Sequence, residues 1–238
     1  VRLAPANAEA WSNQAVIQKD LGQLPAALSS ARRAVDTDPR HPNARFNAAV
    51  ILQELEMYGE ALANYDACLS LQPVRLDALN NRGIVLTRLE RYSDAIACYD
   101  RAISVDPDYL DGYNNRANLL VMMGRVDEAL AMYDKANALE PDNADVWCNK
   151  AIVLLSKGDF AAGLPLYEWR WKRKRAPDRF PDRPLWMGRE SLEGKSILLH
   201  CEQGLGDTLQ FCRYAPLAAM QGAKVVLEVQ QPLVDLMK

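Results

Sequence analysis

The sequence predicts a mainly α chain, a solenoid of antiparallel helix pairs over most of its length followed by a partial α/β segment of βαβ order. Three observations carry this. Pro5, Pro39, Pro73, Pro107 and Pro141 each stand thirty-four residues after the last, and a fixed period of that length marks stacked repeats sharing one continuous core. Small residues recur in the same register in two columns, Ala15, Ala49, Gly83, Ala117 and Ala151, then Ala27, Ala61, Ala95, Ala129 and Gly163. Beyond about residue 175 the period stops, and apolar runs of strand length flank a glycine turn.

Taken in order, residues 1–7 read as the tail of a preceding repeat. Val1 and Leu3 occupy the columns of Leu69 and Leu71, or Ile103 and Val105, so at least one further unit is expected before Val1. Residues 8–175 hold five units of thirty-four residues, each of two helices. Helices approach closely only where side chains are small, and the two columns supply that. Four residues after the second column stand Tyr65, Tyr99, Tyr133 and Tyr167, aromatic rings that fill the space left over. Leu21-Gly22, Met123-Gly124 and Lys157-Gly158 mark turns where a first helix ends left-handed.

The small residue paired with an aromatic four positions on, and the closing proline, resemble the tetratricopeptide repeat across roughly residues 8 to 171. Two departures occur: the tryptophan expected at the fourth position is present only as Trp11 and Trp147, and Ala31 replaces the aromatic of the first unit. The resemblance implies a right-handed solenoid, with the first helices lining a concave inner wall.

One column is polar. Asn13, Asn47, Asn81, Asn115 and Asn149 fall at the sixth position of each unit, and Glu9, Asn43, Asp77, Asp111 and Asp145 stand four residues earlier on the same helical face. Asparagine is a mediocre helix former, so an interior column of it needs a reason. One reading is a groove whose amides donate to and accept from an extended peptide of a protein partner. The other is structural, with acidic residues placed in the first turn by the helix dipole and duplication copying the rest. The ladder resembles that of O-linked N-acetylglucosamine transferases, which implies the first reading, since that family holds protein substrates there.

In the fifth unit the second helix changes character, as FAAGLPLYEWRWKRKR. Trp169 and Trp171 cannot share one helical face, so one is expected to cap the last repeat and the other to meet the segment after it. The basic run Arg170, Lys172, Arg173, Lys174 and Arg175 suits a helix C-terminus. Residues 176–194, with Pro177, Pro181 and Pro184, read as a stiff linker. Residues 195–238 then give a buried strand SILLHCE, a helix from Asp207 to about Gln221, a second strand AKVVLEVQ, and a helix opened by Pro232. This is a truncated, Rossmann-like βαβ unit. GRESLEGKS is not a phosphate loop, having one residue too many between its glycines and preceding a strand; EQGLGD lacks the third glycine of a dinucleotide turn.

The stretch RPLWMGRESLEGKSILLHCEQGLGDTLQFCRYAPLA resembles the opening of a bacterial glycosyltransferase domain of the heptosyltransferase-like family that is joined to such repeats. Carried over, Asp207 would be the general base of the parent protein, with Gly204 and Gly206 letting the backbone approach substrate. A nucleotide sugar would be the donor there, and this chain alone would bind without catalysing. The bland alternative is a capping aspartate in a tight turn. Two strands leave apolar faces and edges uncovered, so Ile197, Leu198, Leu199, Val225, Val226 and Leu227 are expected to pack on the last repeat near Trp169 or Trp171, or on a second molecule.

The totals limit the rest. With 238 residues, 49% hydrophobic and 25% charged, the chain is of ordinary globular composition. A net charge of −3 gives no field for nucleic acid or anionic membrane. No apolar run reaches a membrane-span length and the start lacks a signal-peptide layout. Five cysteines without C-x-x-C spacing, and two histidines, offer no metal site or disulfide frame and fit a reducing cytoplasm. No cofactor is expected in this chain. Two functions fit these residues: a protein- or peptide-binding arm that recruits substrate for a larger glycosyltransferase, or an interaction and assembly scaffold with no enzymatic role.

Overall fold

The computed structural model describes residues 7–173, 183–202 and 204–237. They fall into two compact units, divided between Pro177 and Asp178. In the first, ten α-helices run as five hairpins: α1 (Ala8–Asp20) with α2 (Leu24–Thr37), α3 (Pro42–Glu54) with α4 (Tyr58–Leu71), α5 (Leu76–Arg88) with α6 (Tyr92–Val105), α7 (Leu110–Met122) with α8 (Val126–Leu139), and α9 (Ala144–Ser156) with α10 (Phe160–Tyr167). Each even helix also packs on the next odd helix, and each odd helix touches the next odd one. The odd helices therefore form a continuous face. Helix pairs stacked in this way are typical of tetratricopeptide repeats.

Both small columns are buried throughout, and Tyr65, Tyr99 and Tyr133 are sealed against them. How closely is shown at Gly83, where an added Cβ would lie 2.6 Å from the Tyr99 ring. The tyrosine hydroxyls are held across the hairpin: Tyr65 donates to Gln53 Oε1 at 2.9 Å and Tyr133 to Asn118 Oδ1 at 2.5 Å. In the first unit, where Ala31 stands in the tyrosine column, Ser30 donates to Gln18 instead. Ile51, Val85, Leu119 and Val153 share one column and pack between hairpins. Ile17, first in that column, is 61% exposed.

The turns within the hairpins are Schellman caps, with paired bonds such as Gly22 N–H to the Lys19 carbonyl and Gln23 N–H to the Gln18 carbonyl. The second residue before each even helix is left-handed. Gly22, Gly124 and Gly158 take it freely, but Glu56 and Glu90 occupy it at φ 58°. Pro165 interrupts α10, which gives way to a 3-10 turn, Glu168–Lys172, because proline has no N–H for the helical ladder.

The second unit is a two-stranded parallel sheet, β1 (Ser196–His200) paired in register with β2 (Lys224–Glu228) so that Leu198 faces Val226. The strands are shorter than the sequence suggests and not buried: Leu198, Val226 and Leu227 are all exposed, since among the described residues of this unit nothing covers both faces. The connecting helix starts two residues early, as α11 (Leu205–Phe211), passes through a 3-10 turn at Cys212–Tyr214 and resumes as α12 (Ala215–Met220). Pro216 supplies no N–H at that break. Pro232 opens a 3-10 turn, Gln231–Leu233, in place of the expected helix. Lys174, Arg175, Pro177 and Pro181 lie outside the described residues.

Candidate functional site

The asparagine column lies along the face formed by the odd helices. Asn47, Asn81, Asn115 and Asn149 are half-buried and Asn13 is exposed. Asn47 Nδ2 donates to Ser12 Oγ at 2.9 Å, Asn115 Nδ2 to Asn80 Oδ1 at 2.9 Å, and Asn149 Nδ2 to Asn114 Oδ1 at 3.1 Å. Each bond crosses to the preceding repeat. For Asn81 the register places Phe46 where its neighbours have an acceptor, and its amide favours ionisation of the Tyr65 hydroxyl instead. Three of the five asparagines thus tie repeats together, each with one amide N–H. Among the described residues, the side-chain oxygens of Asn47, Asn115 and Asn149 accept no hydrogen bond.

The neighbouring column divides into neutralised and open carboxylates. Arg75 lies over the Phe46 ring at 4.1 Å, donates to Asn43 Oδ1 at 2.7 Å and clamps Asp77 with two bonds of 2.8 and 3.1 Å. Arg173 holds Asp145 at 2.5 Å. Glu9 and Asp111 take no ion pair among the described residues. Tyr109 stands between the acidic rungs; burial, with Asp111 and Asp77 adding to it, pushes its hydroxyl up to about 12.

Sequence reading missed the acceptor column Ser12, Asn80 and Asn114, and a second ladder. Arg82 donates to Asp66 and Arg116 to Asp100, both at 2.6 Å, and Lys150 pairs with Asp134. The same sixteen-residue spacing recurs in three successive joints. A basic seventh position facing an acidic twenty-fifth was visible as a column pair, but its meaning needs the geometry. Trp169 stacks on Trp147 at 5.8 Å and so caps the last repeat, while Trp171 is half-buried beside Arg170.

In the second unit Asp207 is exposed in the first turn of α11, and Gly204, not Asp207, is the helix cap. Nothing lies within 4 Å of a Cβ added at Gly204 or Gly206. Thr208, unremarked in the sequence, is buried and donates to Gln230 Oε1 at 2.8 Å, joining the helix start to the end of β2. Among the described residues no group of three or more His, Cys, Asp or Glu side chains could hold a metal ion, and no helix is long and apolar enough to cross a membrane.

Comparison with known proteins agrees with the helical pattern. Five family models described as tetratricopeptide or TPR repeats match residues 12–56, 42–75, 76–109, 98–131 and 117–158, which together run without a gap over more than half of the chain. No curated protein sequence matches it. Among solved structures, PilF of Pseudomonas aeruginosa is similar with TM-score 0.62 and 20% identity, covering 69% of this chain and 75% of that one. MamA of Desulfovibrio magneticus RS-1, from its residue 41 on, is similar at 0.61 and 18%, covering 72% and 97%. YrrB, described as a TPR protein with an unusual peptide-binding site, is similar at 0.54 and 22%, covering 74% and 89%. At these identities the likeness is one of fold.

Proposed function

Because this chain is a tetratricopeptide-repeat protein of several repeats, we propose that it is an interaction scaffold whose odd-helix face binds an extended segment of a partner protein. One observation carries this reading. Asn47, Asn115 and Asn149 are each anchored to the preceding repeat through the amide N–H, while their side-chain oxygens remain open to an incoming N–H. An amide already fixed in orientation loses little freedom on binding, and such preorganisation favours affinity. The structural role of the column and its binding role are therefore compatible. Glu9 and Asp111 add open carboxylates, and Asn13, Asn43, Asp77 and Asp145 complete the two columns. YrrB, described as having a peptide-binding site, lends the reading support by fold alone.

The test is a displayed random-peptide library selected on the chain. Enriched peptides should lose about tenfold or more in affinity on Asn81→Ala, Asn115→Ala, Asn149→Ala together, with helical circular dichroism retained. Unchanged affinity in a folded triple variant would overturn the reading.

A second reading makes this scaffold the substrate-recruiting arm of a larger glycosyltransferase that uses a nucleotide sugar, with Asp207 as base and Gly204 and Gly206 at the substrate loop. Its support is the parallel strand, glycine turn and helix order of the second unit; the matching family models end at residue 158. The exposed sheet residues Leu198, Val226 and Leu227 also suit self-association through this unit. Five free cysteines are in keeping with a reducing, cytoplasmic setting.

A further inference from the structure

The fourth position of the repeats holds Trp11, Arg45, Leu79, Tyr113 and Trp147, and the twenty-sixth holds Arg33, Ala67, Arg101, Lys135 and Trp169. In three units these two positions stack: Arg33 lies 4.0 Å over Trp11, Lys135 5.8 Å over Tyr113, and Trp169 pairs with Trp147. The fourth-position side chain also reaches the carbonyl of the proline six residues before it. Trp147 Nε1 donates to the Pro141 carbonyl at 2.7 Å, and Arg45 Nε to the Pro39 carbonyl at 3.0 Å.

The third unit breaks both patterns at once. Leu79 has no ring for Arg101 to cover and no donor for the Pro73 carbonyl. Among the described residues neither the Arg101 guanidinium nor the Pro73 oxygen has a partner. Where the ring would sit there is an open cleft of about 390 Å³, lined by Leu79, Pro73 and Arg101 and by Asp66, Arg82 and Cys98. Its floor is fixed, since Arg82 is held by Asp66 at 2.6 Å and bonds the Cys98 sulfur at 2.8 Å.

We propose that this cleft is a socket for a tryptophan side chain presented by a partner protein, the indole lying under Arg101 with its N–H on the Pro73 carbonyl. The occupant follows from the register. The first and fifth units place tryptophan at this position, the fifth with the same N–H to carbonyl bond, and the first under the same kind of cation. Cation–π contact is strongest over an indole, and buried tryptophan anchors dominate protein interfaces. A ring carried on a partner's backbone gains further contact along α4 and α6 that a free ring in so open a cleft would lack. The socket is separate from the asparagine face and does not depend on it.

The experiment is a titration of the ¹⁵N-labelled chain with N-acetyl-tryptophanamide, followed by amide shifts. Saturable shifts are expected at Val74, Leu79, Cys98 and Arg101, weaker by several-fold with the 1-methylindole analogue and absent with N-acetyl-leucinamide. Leu79→Trp, which supplies the ring from within, should abolish them, and the exposed Arg101→Ala should weaken them about fivefold. If Leu79→Trp does not fold, Cys98→Met, which places at that column the residue Met132 already occupies in the next unit, should block the cleft instead. Peptides selected on the chain and lost on the blocked variant should contain tryptophan and bind at least tenfold tighter than the free amide. No saturable shift, an equal response to leucinamide, or shifts that persist in a folded blocked variant would overturn the socket. Free amide binding as tightly as the peptides would overturn its assignment to a partner protein.

Discussion

At the scale of single residues, two side chains depart from what their columns require. Gly83 occupies a position that alanine holds elsewhere, and helix propensity alone would favour alanine there by about 1 kcal/mol. The Tyr99 ring is buried and lies 2.6 Å from the missing Cβ, so an alanine there forces the ring or the helix to shift. Gly83→Ala should therefore destabilise, by about 1–3 kcal/mol, the range for overpacked cores; urea unfolding measures it. Asn137 stands where Val35, Leu69 and Ile103 stand in earlier units. It is 5% exposed and neither of its amide atoms has a hydrogen-bond partner. A buried polar group left unpaired costs about 1–3 kcal/mol, so Asn137→Leu should raise the melting temperature. The small columns and the fillers Tyr65, Tyr99 and Tyr133 were legible in the sequence, because spacing alone brings such residues together; the fourth, Tyr167, is only half-buried, and Gly163 faces Leu155. The acceptors Ser12, Asn80 and Asn114 were not legible, because their role depends on a neighbour thirty-five residues away.

At the scale of elements, the hairpins follow the thirty-four-residue period, and their turns follow the glycines. The units that lack glycine keep the same turn geometry at a strain. Glu56 and Glu90 sit at φ 58°, exposed, a conformation disfavoured for residues with a Cβ by about 1–2 kcal/mol. Glu56→Gly and Glu90→Gly should each stabilise by about 0.5–1 kcal/mol, the relief being partly offset by chain entropy, and thermal melts should show the two effects to be additive. The ion pairs joining the repeats are different. Asp66, Asp100 and Asp134 are exposed, and surface pairs contribute about 0–1 kcal/mol. Asp100→Asn should thus change stability little, and less still in high salt. The early end of α10 at Tyr167 went unread, although Pro165 marks it. The 3-10 turns at Cys212–Tyr214 and Gln231–Leu233 were not legible, since a proline signals an interruption without fixing the conformation of the residues after it.

At the scale of the whole molecule, stability is tied to the protonated state of the buried tyrosines. In the unfolded chain a tyrosine hydroxyl ionises near 10, whereas burial pushes Tyr99 and Tyr133 up to about 12 and raises Tyr65 as well. The folded chain therefore keeps protons that the unfolded chain releases. Stability should be at its full value below about pH 10 and fall between about pH 10 and 12, each tyrosine contributing a loss of roughly 1.4 kcal/mol for every pH step of one. Tyr99→Phe should flatten that decline, as read by urea midpoints across the range. The repeat architecture and the order of the second unit were visible in the sequence. The exposure of the sheet was visible only as a problem two strands could not solve alone.

Two of the four joints depart from the others: the first has Ala48 and Arg32 at the ion-pair positions, and the second lacks the amide bond. Between the second and third hairpins Phe46 stands in the acceptor column, Asn81 makes none of the cross-repeat amide bonds of its neighbours, and Leu79 leaves its cleft open. The second joint is held instead by Arg75, which lies over the Phe46 ring and donates to Asn43, and by Arg82 on Asp66, so its resistance to extension rests on cations rather than on an amide. A single-molecule extension trace should show a step at that coupling which Arg75→Ala moves to lower force.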